Sequence, residues 1–423
     1  MPTTLNVADK PTLNSVKTDT DTLITRGGIR HNGTNPQVYD TTNDTWVDLP
    51  SGGSLSPTII IKNHFYEDGD MDNLDITVTD NDGLMTTQTV NMGTDDYIAV
   101  DVPHLGRYTI SCTFDSKSYS WIVDVDVVGG VDGTSRYPKP VAWATGTDEE
   151  IVALVKAADE GMIDLISYAG WAVGDTREVN ISAIASSGTF NDVSWSVGES
   201  HAAQTINLVL MDAGSTSETG STYTNTAATA YQLVNSVKNK DGSTRTNPSF
   251  IVGVRDLLSN GATTEYGYMN SSNTNSGSWN SSARRKWCNG GFMSALPETL
   301  RPIFKQANVI TAASYNGSTN QTTQDYCMLF AAKEIFGGTA SSAGSSTSYS
   351  NLTEFNALKQ VEWYKTSANR IKKTNKGAGS AYYWWERSPY YDNSSAFCFV
   401  DSGGSANGYY ASNSIGLAPA CFI

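Results

Sequence analysis

The side chains best suited to chemistry near neutral pH are few and scattered. Histidine occurs four times in 423 residues, at His31, His64, His104 and His201. These stand too far apart in sequence to suggest a zinc site or a histidine-centred triad. No GxSxG elbow, P-loop or GxGxxG turn is present. The run "DGDMDN", with Asp68, Asp70 and Asp72, imitates the start of a calcium-binding loop, but its sixth position is Asn73 rather than glycine and its twelfth is Thr79 rather than glutamate. It reads as a solvated turn between strands. The five cysteines, Cys112, Cys288, Cys327, Cys398 and Cys421, are odd in number and lack a CxxC pair. They read as buried free thiols, although Cys398 and Cys421 could meet in space. Asp and Glu number 43, too many for a glycosidase pair to be picked by spacing. The residues therefore predict no catalytic group, no metal and no cofactor.

Recognition chemistry has more support. Residues 384–413 read "WWERSPYYDNSSAFCFVDSGGSANGYYASN". Two polar runs sit inside an apolar frame made by Trp384, Trp385, Pro389 and the stretch from Phe397 to Val400. Between 382 and 413, six Tyr, six Ser and three Asn fill 15 of 32 positions. Tyr brings a large amphipathic contact with little rotamer entropy to lose, and Ser, Asn and Gly bring adaptable hydrogen bonding, which is the mixture antibody paratopes use. Burial of Trp384, Trp385, Phe397 and Phe399, worth roughly 2–3 kcal/mol each, would anchor the strands, with Arg387 paired internally. The candidate ligand-binding residues are Tyr390, Tyr391, Asp392, Asn393, Ser394, Ser395, Ala396, Asp401, Ser402, Asn407, Gly408, Tyr409, Tyr410 and Asn413. Loops on such a frame can vary without unfolding it.

The elements that must hold these residues follow from pattern. Residues 1–50 are polar and turn-rich and read as short hairpins that dock on a partner or between copies. "SGGSLS", residues 51–56, reads as a flexible linker. From 57 to about 130, "TIIIKNHF", "LDITVTD", "TTQTVNM", "YIAVDV", "RYTISCTF" and "SYSWIVDVDVV" are alternating or β-branched runs between turn residues, which predicts a small immunoglobulin-like β-sandwich. "GGVDGTSRYPKP" reads as an interdomain joint. Residues 139–423 are mixed α+β. "GTDEEIVALVKAADEG" predicts a helix with a capping box between Thr147 and Glu150 and a buried stripe of Ile151, Leu154, Val155 and Ala158. "SSARRKWCNGGFMSAL" and "NLTEFNALKQVEWYKT" predict two more helices, and "REVNISAI" and "TINLVLMDAG" predict strands. The basic segment 365–376, with Arg370, Lys372 and Lys373, reads as a solvated helix end. Long Ser/Thr/Gly stretches such as "GGTASSAGSSTSYS" read as functional or disordered loops.

Only 17% of residues are charged and the net charge is −15, which repels polyanions and gives no reason to expect a nucleic-acid partner. The N-terminus lacks a basic n-region and an apolar h-region, and no apolar run reaches 18 residues, so neither a signal peptide nor membrane insertion is expected.

Five ordered motifs carry a resemblance: "YAGWAVGDTREVNISAI" (168–184), "INLVLMDAG" (206–214), "SSARRKWCNGGFMSALPETLRPIFK" (281–305), "WWERSP" (384–389) and "GLAPACFI" (416–423). Together they resemble an uncharacterised domain family frequent in gut Firmicutes and their phages. That family is similar to the C-type-lectin-like fold of formylglycine-generating enzymes and phage variable tropism proteins. Ala418 stands where the family often has Arg, Cys398 and Cys421 lie 23 positions apart (421 − 398), and no Glu-Pro-Asn or Trp-Asn-Asp sugar motif occurs. Copper-dependent oxidation and calcium-bridged sugar binding are therefore unsupported. The resemblance implies a phage tail-fibre or tail-tip receptor-binding protein, not an enzyme, located in the virion. Its partners would be a bacterial surface receptor, glycan or protein, and other tail proteins through the N-terminus. A homotrimer is implied, and the Tyr/Ser/Asn window is compatible with diversification by a retroelement. The competing expectations are a formylglycine-type oxidase or receptor-degrading tail enzyme, and a structural virion protein.

Overall fold

Strand alternation in the first hundred residues translates directly into layers. In the computed structural model the described residues are 29–31, 36–40, 45–48, 56–66, 69–214, 227–239, 242–260, 263–315, 319–338 and 352–423. The chain divides into two compact units, Met1–Tyr137 and Pro138–Ile423, and its described part is β-rich. No helix among the described residues is long and apolar enough to cross a membrane.

The first unit opens with three short strands, β1 (Ile29–His31), β2 (Pro36–Asp40) and β3 (Thr45–Asp48), paired as an antiparallel meander. Residues 1–28 and 49–55, which include most of the expected linker, lie outside the described residues. Then follow β4 (Thr58–Lys62), β5 (Asp75–Asp80), β6 (Gln88–Asn91), β7 (Tyr97–Asp101), β8 (Gly106–Phe114), β9 (Lys117–Val125) and β10 (Gly130–Asp132). Each of the six sequence-predicted runs overlaps one of the strands β4 to β9, with β8 and β9 each starting one residue earlier, at Gly106 and Lys117. Part of the expected interdomain joint differs: Gly130–Asp132 is a strand, laid parallel to β4. One sheet has the order β10–β4–β7 and the other β6–β5–β8–β9.

Side chains alternate as period-two geometry requires. Ile59 and Ile61 of β4, Ile76 and Val78 of β5, and Tyr108 and Ile110 of β8 are buried. A Cβ at Gly133 would lie 2.3 Å from Ile59 Cγ2 and 2.9 Å from Ile110 Cδ1, so side chains of the two sheets meet at that point. Asp70 and Asp72 serve the turn before β5. Asp70 Oδ2 accepts from the Tyr66 amide at 2.9 Å, and Asp72 Oδ1 accepts from Asn63 Nδ2 at 2.5 Å. Asp68, the first position of that expected turn, lies outside the described residues.

The second unit starts from helix α1 (Asp148–Asp159), capped by the reciprocal Thr147 and Glu150 bonds and burying Ile151, Leu154, Val155 and Ala158, as its sequence predicts. Its strands include β11 (Thr176–Ile181), β12 (Gln204–Ala213), β13 (Phe250–Val254), β14 (Tyr266–Gly267), β15 (Cys327–Met328), β16 (Trp384–Pro389), β17 (Ala396–Val400), β18 (Ala406–Tyr410), β19 (Ile415–Gly416) and β20 (Ala420–Phe422). One five-stranded sheet has the order β11–β12–β13–β20–β15, and the other β14–β19–β16–β17–β18. All five residues of β13 and all six of β16 are buried, as expected of strands covered on both faces.

Helix α2 (Ala283–Trp287) passes through a π-helical turn, Cys288–Phe292, into α3 (Met293–Ala295). The single helix expected at 351–366 is instead two one-turn helices, Glu354–Ala357 and Glu362–Lys365. Tertiary bonds win there over the helical ladder. The Val361 amide donates to the Glu334 carbonyl at 2.8 Å, and the Glu354 carboxylate accepts from the Ala312 amide at 2.6 Å and from the Ser388 hydroxyl. Most of the Ser-rich stretch 337–350 lies outside the described residues. All five cysteines are buried and none is in a disulfide. Cys421 pairs in register with Cys327 across β20 and β15, while Cys398 sits in the other sheet.

Candidate ligand-binding face

The candidate residues lie on the last strands of one sheet. Strands β16, β17 and β18 pair antiparallel through Trp385↔Phe399, Phe397↔Tyr409 and Phe399↔Asn407, and β18 is the edge. Trp384 and Trp385 are fully buried, and each indole N–H has a partner: Trp384 donates to the Arg370 carbonyl at 2.9 Å and Trp385 to the Gly267 carbonyl at 2.6 Å. These bonds fix the frame that the sequence suggested.

Cross-strand partners share a face, and neighbours along a strand take opposite faces. The candidates on β18 are therefore split. Asn407 and Tyr409 lie on the face of Phe397 and Phe399, whereas Gly408 and Tyr410 lie on the face of Ala396 and Cys398. On the first face the rings form a run. Tyr409 is 5.4 Å from Phe399 and 6.4 Å from Trp385, Phe399 is 5.3 Å from Tyr383, Tyr383 is 5.2 Å from Tyr382, and Tyr382 is 5.0 Å from Tyr266. Phe399 and Trp385 are buried, while Tyr266 and Tyr409 are exposed and Tyr382 and Tyr383 half-buried. Partial burial, with the Tyr266 hydroxyl beside it, pushes the Tyr382 phenol up. On the second face, the Tyr390 ring covers Gly408. A Cβ there would lie 2.4 Å from Tyr390 Cδ2, so glycine is what admits the ring.

The two loops are built by their own side chains. Asn393 Oδ1 accepts from the Ser395 amide at 2.8 Å. Asp401 Oδ1 accepts from the amides of Gly403 and Ser405 at 2.8 and 2.9 Å. Asp392, Ser394 and Ser402 are exposed, and Tyr391 and Asn413 half-buried. Ala396 is a correction. It is 3% exposed, because it opens β17 and its methyl turns inward. A residue so placed supports the loop and offers no contact surface.

A further segment completes this surface. Residues 270–276, "NSSNTNS", run against both candidate loops. Buried Asn275 donates from Nδ2 to the carbonyls of Asn393 and Ala396 at 2.9 and 2.7 Å, and its amide donates to Ser394. Asn273 Oδ1 accepts from the Ser412 hydroxyl at 2.6 Å. The outer side of the same segment borders a cleft of about 420 Å³ lined by hydroxyls, with Trp195, Asn270 and Lys286 among its walls. Sequence reasoning missed this segment and also Tyr266, Tyr382 and Tyr383. The signal was present: "NSSNTNSGSWNSS" at 270–282 has the same Ser/Asn composition as the C-terminal window.

A buried ionic centre lies behind the face. Arg387 Nη1 is 2.5 Å from Glu334 Oε2, and its other donors reach Thr311, Tyr231 and the carbonyls of Leu329 and Ile310. Tyr231 also donates to Glu334. Burial pushes the Tyr231 phenol well up. Lys372 corrects the reading of 365–376 as a solvated helix end. Its side chain is buried, with Nζ 2.8 Å from the carbonyls of Val254 and Arg255 and 5.1 Å from the Trp384 ring centre. Lys373, by contrast, is exposed.

The model of a family described as "Domain of unknown function (DUF6273)" matches residues 254–423, which include the whole candidate face. No curated protein matches the chain. A solved structure named "Crystal Structure of S.CueP" is similar over 30% of this chain and 90% of its own, at 15% identity and a TM-score of 0.19, a likeness that carries no argument.

Proposed function

We propose that this chain is a receptor-binding protein of the kind carried on a phage tail tip or fibre. In this reading its second unit is a C-type-lectin-like module that grips a bacterial surface ligand through the tyrosine-lined face. The observation that carries it is the run from Tyr266 to Tyr409, solvent-accessible rings resting on the buried Phe399 and Trp385. Accessible aromatic area on a rigid bed contributes contact energy at small entropic cost. Turn-bonded Ser and Asn loops beside it supply hydrogen bonds without unfolding the frame. The phage setting rests on the resemblance of the five sequence motifs. Seven strands in two sheets support an immunoglobulin-like spacer in the first unit. The segment before it would dock to other tail proteins, and a homotrimer would multiply weak sites into avidity.

The test is binding of the purified full-length chain to a panel of intact Gram-positive gut bacteria and to glycans and proteins isolated from their surfaces. Replacing Tyr266, Tyr382 and Tyr409 together by Ser should weaken binding at least about tenfold with an unchanged melting temperature. Undiminished binding by the folded triple variant, or no binding by the wild type to any member of the panel, would overturn the reading.

A further inference from the structure

Another cleft of the second unit shares no residue with the tyrosine-lined face. It measures about 380 Å³, with Phe190, Met293, Phe304 and Tyr326 among its walls and Arg301 and Glu298 as its charged residues. Phe190, Arg301 and Tyr326 are half-buried and Glu298 is exposed, whereas Met293 and Phe304 are buried. No short motif joins these positions, which run from 190 to 326.

Each wall is fixed by tertiary contacts. Phe190 ends the first strand of a hairpin, Ser187–Phe190 with Val193–Ser196. Its two-residue loop, Asn191 and Asp192, has φ of 46° and 61°, the left-handed pair that a type I′ turn needs. The hairpin closes on the π-helical turn at Gly290, where a Cβ would lie 2.6 Å from Trp195 Cε3 and 3.0 Å from the Val193 carbonyl oxygen. In the same turn Asn289 holds Tyr326 and Cys327. Its Oδ1 accepts from the Tyr326 amide at 2.7 Å and its Nδ2 donates to the Cys327 carbonyl at 2.9 Å. Met293 Sδ stands 3.8 Å from Cys421 Sγ in β20, which ties this wall to the core sheet. Arg301 opens a single 3₁₀ turn, Arg301–Ile303, and its carbonyl accepts from the Phe304 amide at 3.1 Å.

The guanidinium is the group without a counterpart. Arg177, Arg245, Arg284, Arg285 and Arg387 of the same unit each lie within 3.5 Å of a carboxylate. Arg301 meets none among the described residues. Its Nε is enclosed without an acceptor, and neither Nη group bonds to a described residue. The guanidinium carbon stands 5.2 Å from the Phe190 ring centre, a cation–π contact that uses the face of the group and leaves its Nη donors unspent. A guanidinium stays charged at any pH the protein meets, and its parallel donors match the two oxygens of a carboxylate. Glu298 on the rim limits the charge of a guest, because its carboxylate repels a second negative charge and so disfavours a dianion.

We propose that this cleft binds a small monocarboxylate, its apolar or aromatic body lying among Phe190, Met293, Phe304 and Tyr326 and its two oxygens pairing with the Nη groups of Arg301. Charge complementarity selects this occupant. A purely apolar guest would cover the guanidinium and leave it unpaired, and an inorganic anion would leave the aromatic walls without a contact. Apolar walls with one convergent charged group are the usual make-up of a small-molecule site. The cleft and the tyrosine-lined face use different residues, so either can fail its test without the other.

The experiment titrates sodium phenylacetate into the full-length protein with isotope-labelled methionine methyl groups, with phenylacetamide and inorganic phosphate as controls. It follows the Met293 methyl resonance, assigned by its loss in Met293→Leu. The wild type should bind phenylacetate with a Kd of about 1 mM, the affinity that about ten non-hydrogen atoms support, and the Met293 resonance should shift. Phenylacetamide, neutral and of nearly the same shape, should bind at least about tenfold more weakly, and so should phosphate. Arg301→Gln should weaken phenylacetate binding by a similar factor. If Arg301→Gln fails to fold, the comparison of phenylacetate with phenylacetamide on the wild type decides the matter. No saturation by about 10 mM phenylacetate would overturn the proposal. So would a stationary Met293 resonance, equal binding of phenylacetamide or phosphate, or undiminished binding by folded Arg301→Gln.

Discussion

The guanidinium of Arg387 and the carboxylate of Glu334 lie 2.5 Å apart with neither side chain exposed. Arg387 is flanked in β16 by Glu386 and Ser388, also fully buried. This strand is the middle of the sheet that carries the candidate face. Its ionic interior therefore sets the platform on which the tyrosines rest.

Removing one partner of that pair strands the other in the core. Glu334→Gln and Arg387→Met should each destabilise the second unit by about 3–5 kcal/mol, and the effects should be strongly non-additive in the double variant. Denaturant unfolding of the two single variants and the double variant checks this. Losses below about 1 kcal/mol would show that the pair behaves as a surface ion pair.

Glu386 and Lys372 give the second unit opposing pH dependences. Burial, followed by the nearby Glu354 carboxylate, pushes the Glu386 carboxyl well above its ordinary 4.5, and neither oxygen has a partner among the described residues. The folded state thus holds a proton that the unfolded chain gives up above about 4.5. Its stabilising effect is complete below that pH and declines as pH rises toward the folded value. Burial pulls Lys372 down from 10.5 to about 7. Between those values the unfolded chain holds the extra proton, so stability rises with pH. Glu386→Gln, which mimics the neutral acid, should flatten the decline between about pH 5 and 7. Lys372→Met should remove the rise above about pH 7. Denaturant midpoints across this range read both, and an unchanged profile in Glu386→Gln would refute the assignment.

Gly408→Ala forces a methyl group into the Tyr390 ring. Tyr390 is half-buried and can swing outward, so the stability cost should be small, about 1 kcal/mol. Ligand binding through this side of the hairpin should change by a larger factor. A crystal structure of the variant with Tyr390 unmoved would contradict the expectation.

Asn275→Ala leaves the carbonyls of Asn393 and Ala396 without their side-chain donor. It should cost about 1–3 kcal/mol and loosen residues 390–396 while the rest of β17, Phe397 to Val400, stays protected. Hydrogen exchange at the amides of Asn393 and Ala396, which bond back to Tyr390 and Asn393, respectively, should accelerate. Unchanged exchange at both would show that the loop holds itself.

Local patterning determined a good deal here. The β-branched alternation from Thr58 to Val125 gave the strands of the first unit because period-two burial acts over a few residues. Thr147 and Glu150 gave the start of α1 because a capping box closes within one turn. The aromatic frame of β16 and β17 was legible because Trp384, Trp385, Phe397 and Phe399 have no stable place but the interior. Tertiary structure alone decided the rest. It split the segment 351–366 because Glu354 and Val361 found partners far away in sequence, and it buried Lys372 and Ala396. It brought Tyr266 and the 270–276 segment to the C-terminal hairpins, and His104 to Asp80. Those relationships depend on which strand lies beside which, a choice made by closure of the whole sheet and core that no short stretch of sequence contains.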